Sequence, residues 1–236
     1  MNIIKVTKQE LMELYANSSE EIQARLRTIF GEETFVSRPI GFWIITEDKK
    51  ALTVEAYEAL DDKPLPIGVG VSTPEASFIV SGLPSVVLPF GAKSVRNYDA
   101  VAYNQDTHDN EAATTAIRKA HSGSQFNIWD DDRFPAVGAP AADYCPIDWA
   151  GLKWSLPTLA TTKIISREVG NINAALAAAG LPVLLPGYHW TSTVNRDNED
   201  TAFVVGLSYG DVYDDCQRSN NYVRAVSAFH FEDFEF

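Results

Sequence analysis

The sequence predicts an α+β fold with a short N-terminal helical appendage, and three observations carry that expectation. Short β-branched or aromatic runs bounded by Gly and Pro occupy two stretches of the chain. Helix-patterned segments precede and separate those stretches rather than alternating with single strands, and no internal repeat is visible. At 236 residues, 45% hydrophobic and 22% charged, the chain holds enough apolar material for one domain with an appendage, or for two small ones.

Residues 1–38 form the first unit, expected to serve as an anchor or oligomerisation segment. Thr7 with Glu10 and Ser18 with Glu21 fit capping boxes, in which a hydroxyl takes a backbone N–H and the acid reaches back. In the second of the two helices they open, Ile22, Leu26, Ile29 and Phe30 make one apolar stripe, and Gly31 stands where a left-handed C-cap belongs. That stripe either packs on the same chain or docks on another copy or a scaffold.

Residues 39–236 form the second unit. GFWIITED, PIGVGVS, ASFIVSG and SVVLPFG read as strands, and EAATTAIRKA as a helix. DDDRFPAVGAPAADYCP is too rich in Pro, Asp and Ala for a regular element and is expected to be a long surface loop. Thr158 caps a helix over Leu159–Glu168, Gly170-Asn171 interrupts it, and Ile172–Ala179 continues until Gly180 and Pro182 stop it. GYHWTST, TAFVVGLSYGDVYDDCQ and NYVRAVSAFHF are strands again. Alternation of Tyr222, Arg224 and Val226 against Val223, Ala225 and Ser227 predicts a half-buried strand, with Arg224 in a structural ion pair or capping carbonyls. Trp154 and Trp190 are expected to anchor the core.

Nineteen basic against 32 acidic residues give a net charge of -13. A field of that sign repels phosphates and anionic headgroups, so neither nucleic acid nor membrane is an expected partner. No run reaches the roughly 18 apolar residues of a membrane helix. The N-terminal segment has no apolar stretch and cleavage site of a signal peptide. Cys145 and Cys216 are expected as free thiols, with a single bridge as the alternative.

No GxSxG, HExxH or P-loop occurs, and Gly68-Val69-Gly70 lacks the third glycine and the following helix of a phosphate site. His108, His121, His189 and His230 stand alone in sequence. Asp130-Asp131-Asp132 and Asp197-Asn198-Glu199-Asp200 lack the spacing that wraps a calcium ion. The expectation is a non-enzyme with no metal and no cofactor.

Three polar stretches, two of them bearing tyrosines, are the candidate ligand-reading residues: Asn195, Arg196, Asp197 and Asn198; Ser208, Tyr209, Asp211, Tyr213, Asp214 and Asp215; and Arg218, Asn220, Asn221 and Tyr222. Tyrosine supplies rigid contact area at low entropy cost, while Ser, Asn, Gly and Asp supply adaptable hydrogen bonds. Loops carried by a rigid sheet are where binding usually resides.

The run LKWSLPTLATTKIISREVGNINAAL, then GYHWTSTVN, AFVVGLSYGDVYDD and NYVRAVSAF resembles, in order and spacing, the DUF1566-like and Fibrobacter-major-domain-like modules. Trp154-Ser155-Leu156-Pro157, His189-Trp190-Thr191-Ser192-Thr193 and Val223-Arg224-Ala225-Val226 match their characteristic segments. The resemblance covers residues 60–229 and is strongest after 149. It implies a C-type lectin-like fold, shared with formylglycine-generating enzymes, whose paired cysteines Cys145 and Cys216 do not reproduce. Some such modules are diversified by retroelements that mutate Asn codons, and the candidate stretches draw on that residue set; ordinary polar turn chemistry yields the same set.

The resulting functional expectation is a phage virion protein, a head or tail fibre or decoration component located on the virion surface. It would attach to a host cell-surface glycan or protein and contact other virion proteins through its N-terminal helices. A homo-oligomer is expected, with a trimer favoured because fibre proteins commonly trimerise. The missing leader favours that reading over the alternative, a bacterial cell-surface or fimbrial adhesin module.

Overall fold

The computed structural model describes residues 19–30, 39–91, 95, 98–122, 139–146 and 148–236. The expected first helix with its Thr7 cap, Ser18, Gly31 and the Asp130–Asp132 run lie outside these residues. The chain divides into two compact units, Met1–Pro39 and Ile40–Phe236. In the first, α1 spans Glu20–Phe30, with an exposed Arg25–Glu21 pair one turn apart at 2.8 Å.

The second unit is α+β, built on two sheets. The first has six strands: β1 (Gly41–Thr46), β2 (Ala51–Leu52), β3 (Pro66–Ser72), β4 (Ser77–Ser81), β6 (Trp154–Ser155) and β11 (Val226–Ala228), in the order β2-β1-β3-β4-β11-β6. The second has five: β5 (Val86–Pro89), β7 (Tyr188–Val194), β8 (Thr201–Gly206), β9 (Val212–Cys216) and β10 (Asn220–Val223), in the order β5-β10-β7-β8-β9. Helices α2 (Val54–Glu58), α3 (Asn110–His121), α4 (Pro140–Tyr144), α5 (Leu159–Arg167) and α6 (Val169–Ala178) complete the unit.

Most strand runs read from the sequence form well-buried strands, β1, β3, β4, β7 and β8 being largely enclosed, whereas β5 and β9 at the ends of their sheet are more exposed. Trp154 (1% exposed) and Trp190 (0%) are core anchors, as expected. Trp154 packs at 5.2 Å from Trp149 and donates its indole N–H to the Trp149 carbonyl at 2.9 Å. Residues 229–236 fold over Trp43: Phe231 and Phe236 meet it edge-on, and the Glu235 backbone bonds to Lys49 and Ala51 beside β2.

The Gly68-Val69-Gly70 segment has a packing role in β3. A Cβ on Gly68 would stand 2.3 Å from the Val80 carbonyl oxygen, and one on Gly70 2.8 Å from the Phe229 ring. Backbone cannot yield as a flexible side chain can. Gly68→Ala is therefore expected to cost about 2–3 kcal/mol, read as a lower urea midpoint with the slope unchanged.

Three expectations are corrected. The stretch before Cys145 is not all loop: α4 forms at Pro140–Tyr144, with Pro at its first turn and Ala141, Ala142 and Cys145 buried. Small side chains let this turn settle on α3, where Arg118 donates to the Ala142 and Cys145 carbonyls. The helix interruption falls at Glu168, the cap of both α5 and α6, and Gly170-Asn171 continue α6. Residues 223–227 are buried on both sides rather than half-buried, because the chain passes there from β10 in one sheet to β11 in the other. Arg224 caps the Pro182 carbonyl at 2.6 Å and makes no ion pair among the described residues.

Candidate ligand-binding face

The candidate stretches hang on β7, β8 and β9, and β7 is fastened from below. Its register shifts between Trp190, opposite Val204, and Val194, opposite Ala202. Thr191, Ser192 and Thr193 fill that irregularity: the Thr191 hydroxyl donates to the Phe203 carbonyl, the Ser192 N–H to Pro157, and Thr193 Oγ1 accepts the Leu159 N–H at 3.0 Å. Buried hydroxyls thus replace ladder bonds and tie the strand to the start of α5, where Thr158 Oγ1 accepts from Thr161.

Above this base, residues 195–200 make a braced loop. Asn195 Oδ1 accepts the Asp197 N–H at 3.0 Å, and Asn195 Nδ2 and Thr201 Oγ1 donate to Asp214 at 3.0 and 2.9 Å. Those bonds hold the Asp214 carboxyl below the ordinary carboxylate range. The Tyr103 hydroxyl donates to Glu199, the Arg196 guanidinium lies 5.2 Å from the Tyr103 ring centroid, and Gln217 Nε2 donates to the Glu199 carbonyl at 2.7 Å. Arg196, Asp197 and Asn198 stand exposed at the tip, around a hollow of about 220 Å³.

The turn 207–211 leaves the other end of β8. Gly210 takes φ +76°, a left-handed conformation that suits glycine, and the Gly206 and Asp211 backbones close the turn at 2.9 Å. Tyr209 is 89% exposed at its apex, next to Ser208 and Asp211, and a groove of about 380 Å³ runs from it to Lys163 and Arg167 of α5. Tyr213 on β9 is 55% exposed and meets Tyr188 edge-on at 5.6 Å.

The structure therefore splits the predicted residues. Asp215 is internally committed: its carboxylate accepts from the Cys216 N–H, the Ser219 hydroxyl and Asn221 Nδ2 at 2.7–2.8 Å. Tyr222 stacks on the buried His189 at 5.2 Å and shields Gly187. Arg218 is half-buried, with its Nε enclosed. Asn220 is exposed on β10. The candidate residues that face solvent are Arg196, Asp197 and Asn198 at one end of β8, Ser208, Tyr209, Asp211 and Tyr213 toward the other, and Asn220 on β10.

A cleft of about 550 Å³, absent from the sequence reading, opens where β4, β6 and β11 meet the N-terminal end of α3. Its walls include His108, Asp109, Glu111, Lys153, His230 and Asp233. Asp109 caps α3 through the Ala112 N–H, and Glu111 pairs with Lys153 at 3.1 Å, so much of this polarity is internally occupied. Burial lowers the His108 pKa. The residues come from segments far apart in the chain, and no local motif signals them. Among the described residues no group of three or more His, Cys, Asp or Glu is placed to hold a metal, and Cys145 and Cys216 are free thiols.

A two-sheet α+β unit of this kind has a likeness among solved structures. The chain is similar in fold to a fimbrial protein from Bacteroides ovatus ATCC 8483, with a TM-score of 0.54 and 12% sequence identity. The match covers 81% of this chain and 49% of that one, so the chain spans about half the length of the structure it resembles. At that identity the likeness speaks to fold alone. No protein-family description and no curated protein matches the sequence.

Proposed function

We propose that this chain is a bacterial cell-surface or fimbrial module that binds rather than catalyses, reading its ligand through the exposed residues of β7–β9. The observation that carries this reading is the bracing of residues 195–200 by Tyr103, Gln217 and Asp214, which holds Arg196, Asp197 and Asn198 out toward solvent. A loop held by its own frame loses little entropy when it binds. The fold likeness to a fimbrial protein supports a surface setting, and it moves the weight from the virion-fibre reading to the adhesin reading. No comparison supports the virion reading. A C-type lectin-like topology, implied by the sequence resemblance, belongs to the same proposal: it too places loops of a small sheet above a helix-backed base.

Binding of purified protein to candidate target cells tests the proposal, using two variants. One carries Arg196→Ala and Asn198→Ala; the other carries Tyr209→Ala and Tyr213→Ala. All four side chains reach solvent, so unfolding midpoints should stay within about 1–2 °C of wild type. At least one variant should lose tenfold or more in cell binding, as exposed aromatic and arginine anchors dominate recognition. Equal binding by wild type and both variants would remove this face as the binding surface.

A further inference from the structure

Arg224 is 2% exposed, yet of its guanidinium nitrogens only Nη2 has a protein acceptor, the Pro182 carbonyl at 2.6 Å. Its Nε and Nη1 are enclosed without a hydrogen-bond partner. No carboxylate among the described residues pairs with it; the neighbouring ionisable group that acts on it is the Tyr144 hydroxyl, itself bonded to the Pro84 carbonyl at 2.7 Å. Burial pulls the Arg224 pKa down to about 10, which leaves the group charged at neutral pH.

The surrounding polar atoms point the same way. β10 pairs antiparallel with β5 as far as Val223 opposite Val86, so Arg224 and Ser85 are the next residues along the two strands. The Ser85 hydroxyl is also buried and without a partner. Arg224 follows β10 directly, two residues after Tyr222, which stacks against His189, and its charge acts on the His189 ring. His189 donates through Nδ1 to the Gly187 carbonyl at 3.2 Å, so its enclosed Nε2 is a lone-pair acceptor, which is no ligand for an anion and stands outside the site. Both carbonyls bonded by these side chains, Pro182 and Gly187, belong to the segment that joins α6 to β7.

An enclosed guanidinium with two unfilled donor positions and no counter-charge is costly, because neither water nor a carboxylate repays its lost hydration. A buried water satisfies donors and leaves the charge unbalanced. A small anion satisfies both. We propose that Arg224 Nε and Nη1, with the Ser85 hydroxyl, hold a small monovalent anion of halide or carboxylate chemistry beneath the 182–187 segment. The ion fastens that segment and hence the entry into β7, without taking part in recognition at the loop tips.

Thermal unfolding of the wild-type chain at constant ionic strength tests the site, with chloride, acetate or fluoride exchanged against gluconate. An ion bound only by the folded state raises the midpoint with the logarithm of its concentration. A rise of about 2–6 °C over a hundredfold increase in chloride or acetate is expected, and whichever gives the larger rise identifies the resident chemistry. Arg224→Met keeps an unbranched apolar stem, removes the charge and the N–H donors, and should abolish the response. Diffraction from bromide-grown crystals should show an anomalous peak within hydrogen-bond distance of Arg224, a readout that does not depend on that variant folding. A wild-type midpoint indifferent to both anions, an equal response in Arg224→Met, or an ordered water alone at Arg224 would overturn the proposal.

Discussion

Replacing Trp190 with alanine is expected to lower the unfolding free energy by about 3–5 kcal/mol. The indole is fully buried, packs at 5.4 Å from the Phe90 ring and donates its N–H to the Leu88 carbonyl at 2.9 Å. Its removal opens a cavity in the larger core cluster and strips a carbonyl of its donor next to β5. For a unit of about 200 residues, each kcal/mol moves the midpoint by roughly 2–4 °C, so a fall of about 6–20 °C should appear in a thermal melt. Trp190→Phe keeps most of the apolar volume and loses the donor, and it should cost less. A Trp190→Ala midpoint within a degree or two of wild type would mean that the two sheets do not depend on this side chain.

Mild acid should destabilise the fold steeply, for a reason located at two histidines. Burial holds His121 and His189 down to about 4 each, against an ordinary value near 6.5. The Tyr98 hydroxyl donates to Gln217 Oε1 at 3.2 Å and accepts from His121 Nε2 at 2.9 Å, which places the proton of the neutral His121 ring on Nε2. The unfolded chain takes up protons as pH falls through 6.5, whereas the folded chain refuses them until pH approaches 4. The stabilisation from these neutral rings is thus complete above pH 6.5 and is lost between 6.5 and 4, at about 1.4 kcal/mol per pH unit for each histidine. Urea titrations at several pH values should show a slope near pH 5 corresponding to between one and two protons. His121→Gln and His189→Gln should each flatten it. A slope already flat in wild type would contradict the neutral, buried state of both rings.

How much of this was legible beforehand depends on the range of the interaction. Strand runs such as PIGVGVS and ASFIVSG were readable because a short β-branched or aromatic run bounded by turn residues suits a buried strand, and both are buried almost throughout. The Thr158 cap was equally readable, because a cap is a contact between residues three apart. Helix α4 was missed because Pro140 and its alanines carry a composition that suits loops, and only packing against α3 favours the helical turn. The break between α5 and α6 was placed at Gly170-Asn171 on propensity, yet the chain turns at Glu168, where Arg167 and Asn171 both bond the Glu168 carboxylate.

The candidate site divides along the same line. Sequence composition picked out the polar, tyrosine-rich residues around β7–β9 and the two core tryptophans. It could not separate Asp215, whose carboxylate is consumed by Cys216, Ser219 and Asn221, from Asp197, which faces solvent. Nor could it reveal that residues 195–198 and Tyr209 leave opposite ends of one strand, or that Glu199 is braced by a tyrosine almost a hundred residues earlier. Local pattern and composition were enough for the α+β class, most strand positions, the acidic balance of charge and a set of polar, tyrosine-rich candidate residues. Only the tertiary structure decided which of those residues remain free, that Arg224 is enclosed without a counter-charge, and that a cleft lies between β11 and α3. Each of those outcomes depends on groups distant in the chain competing for the same hydrogen bonds and the same buried space.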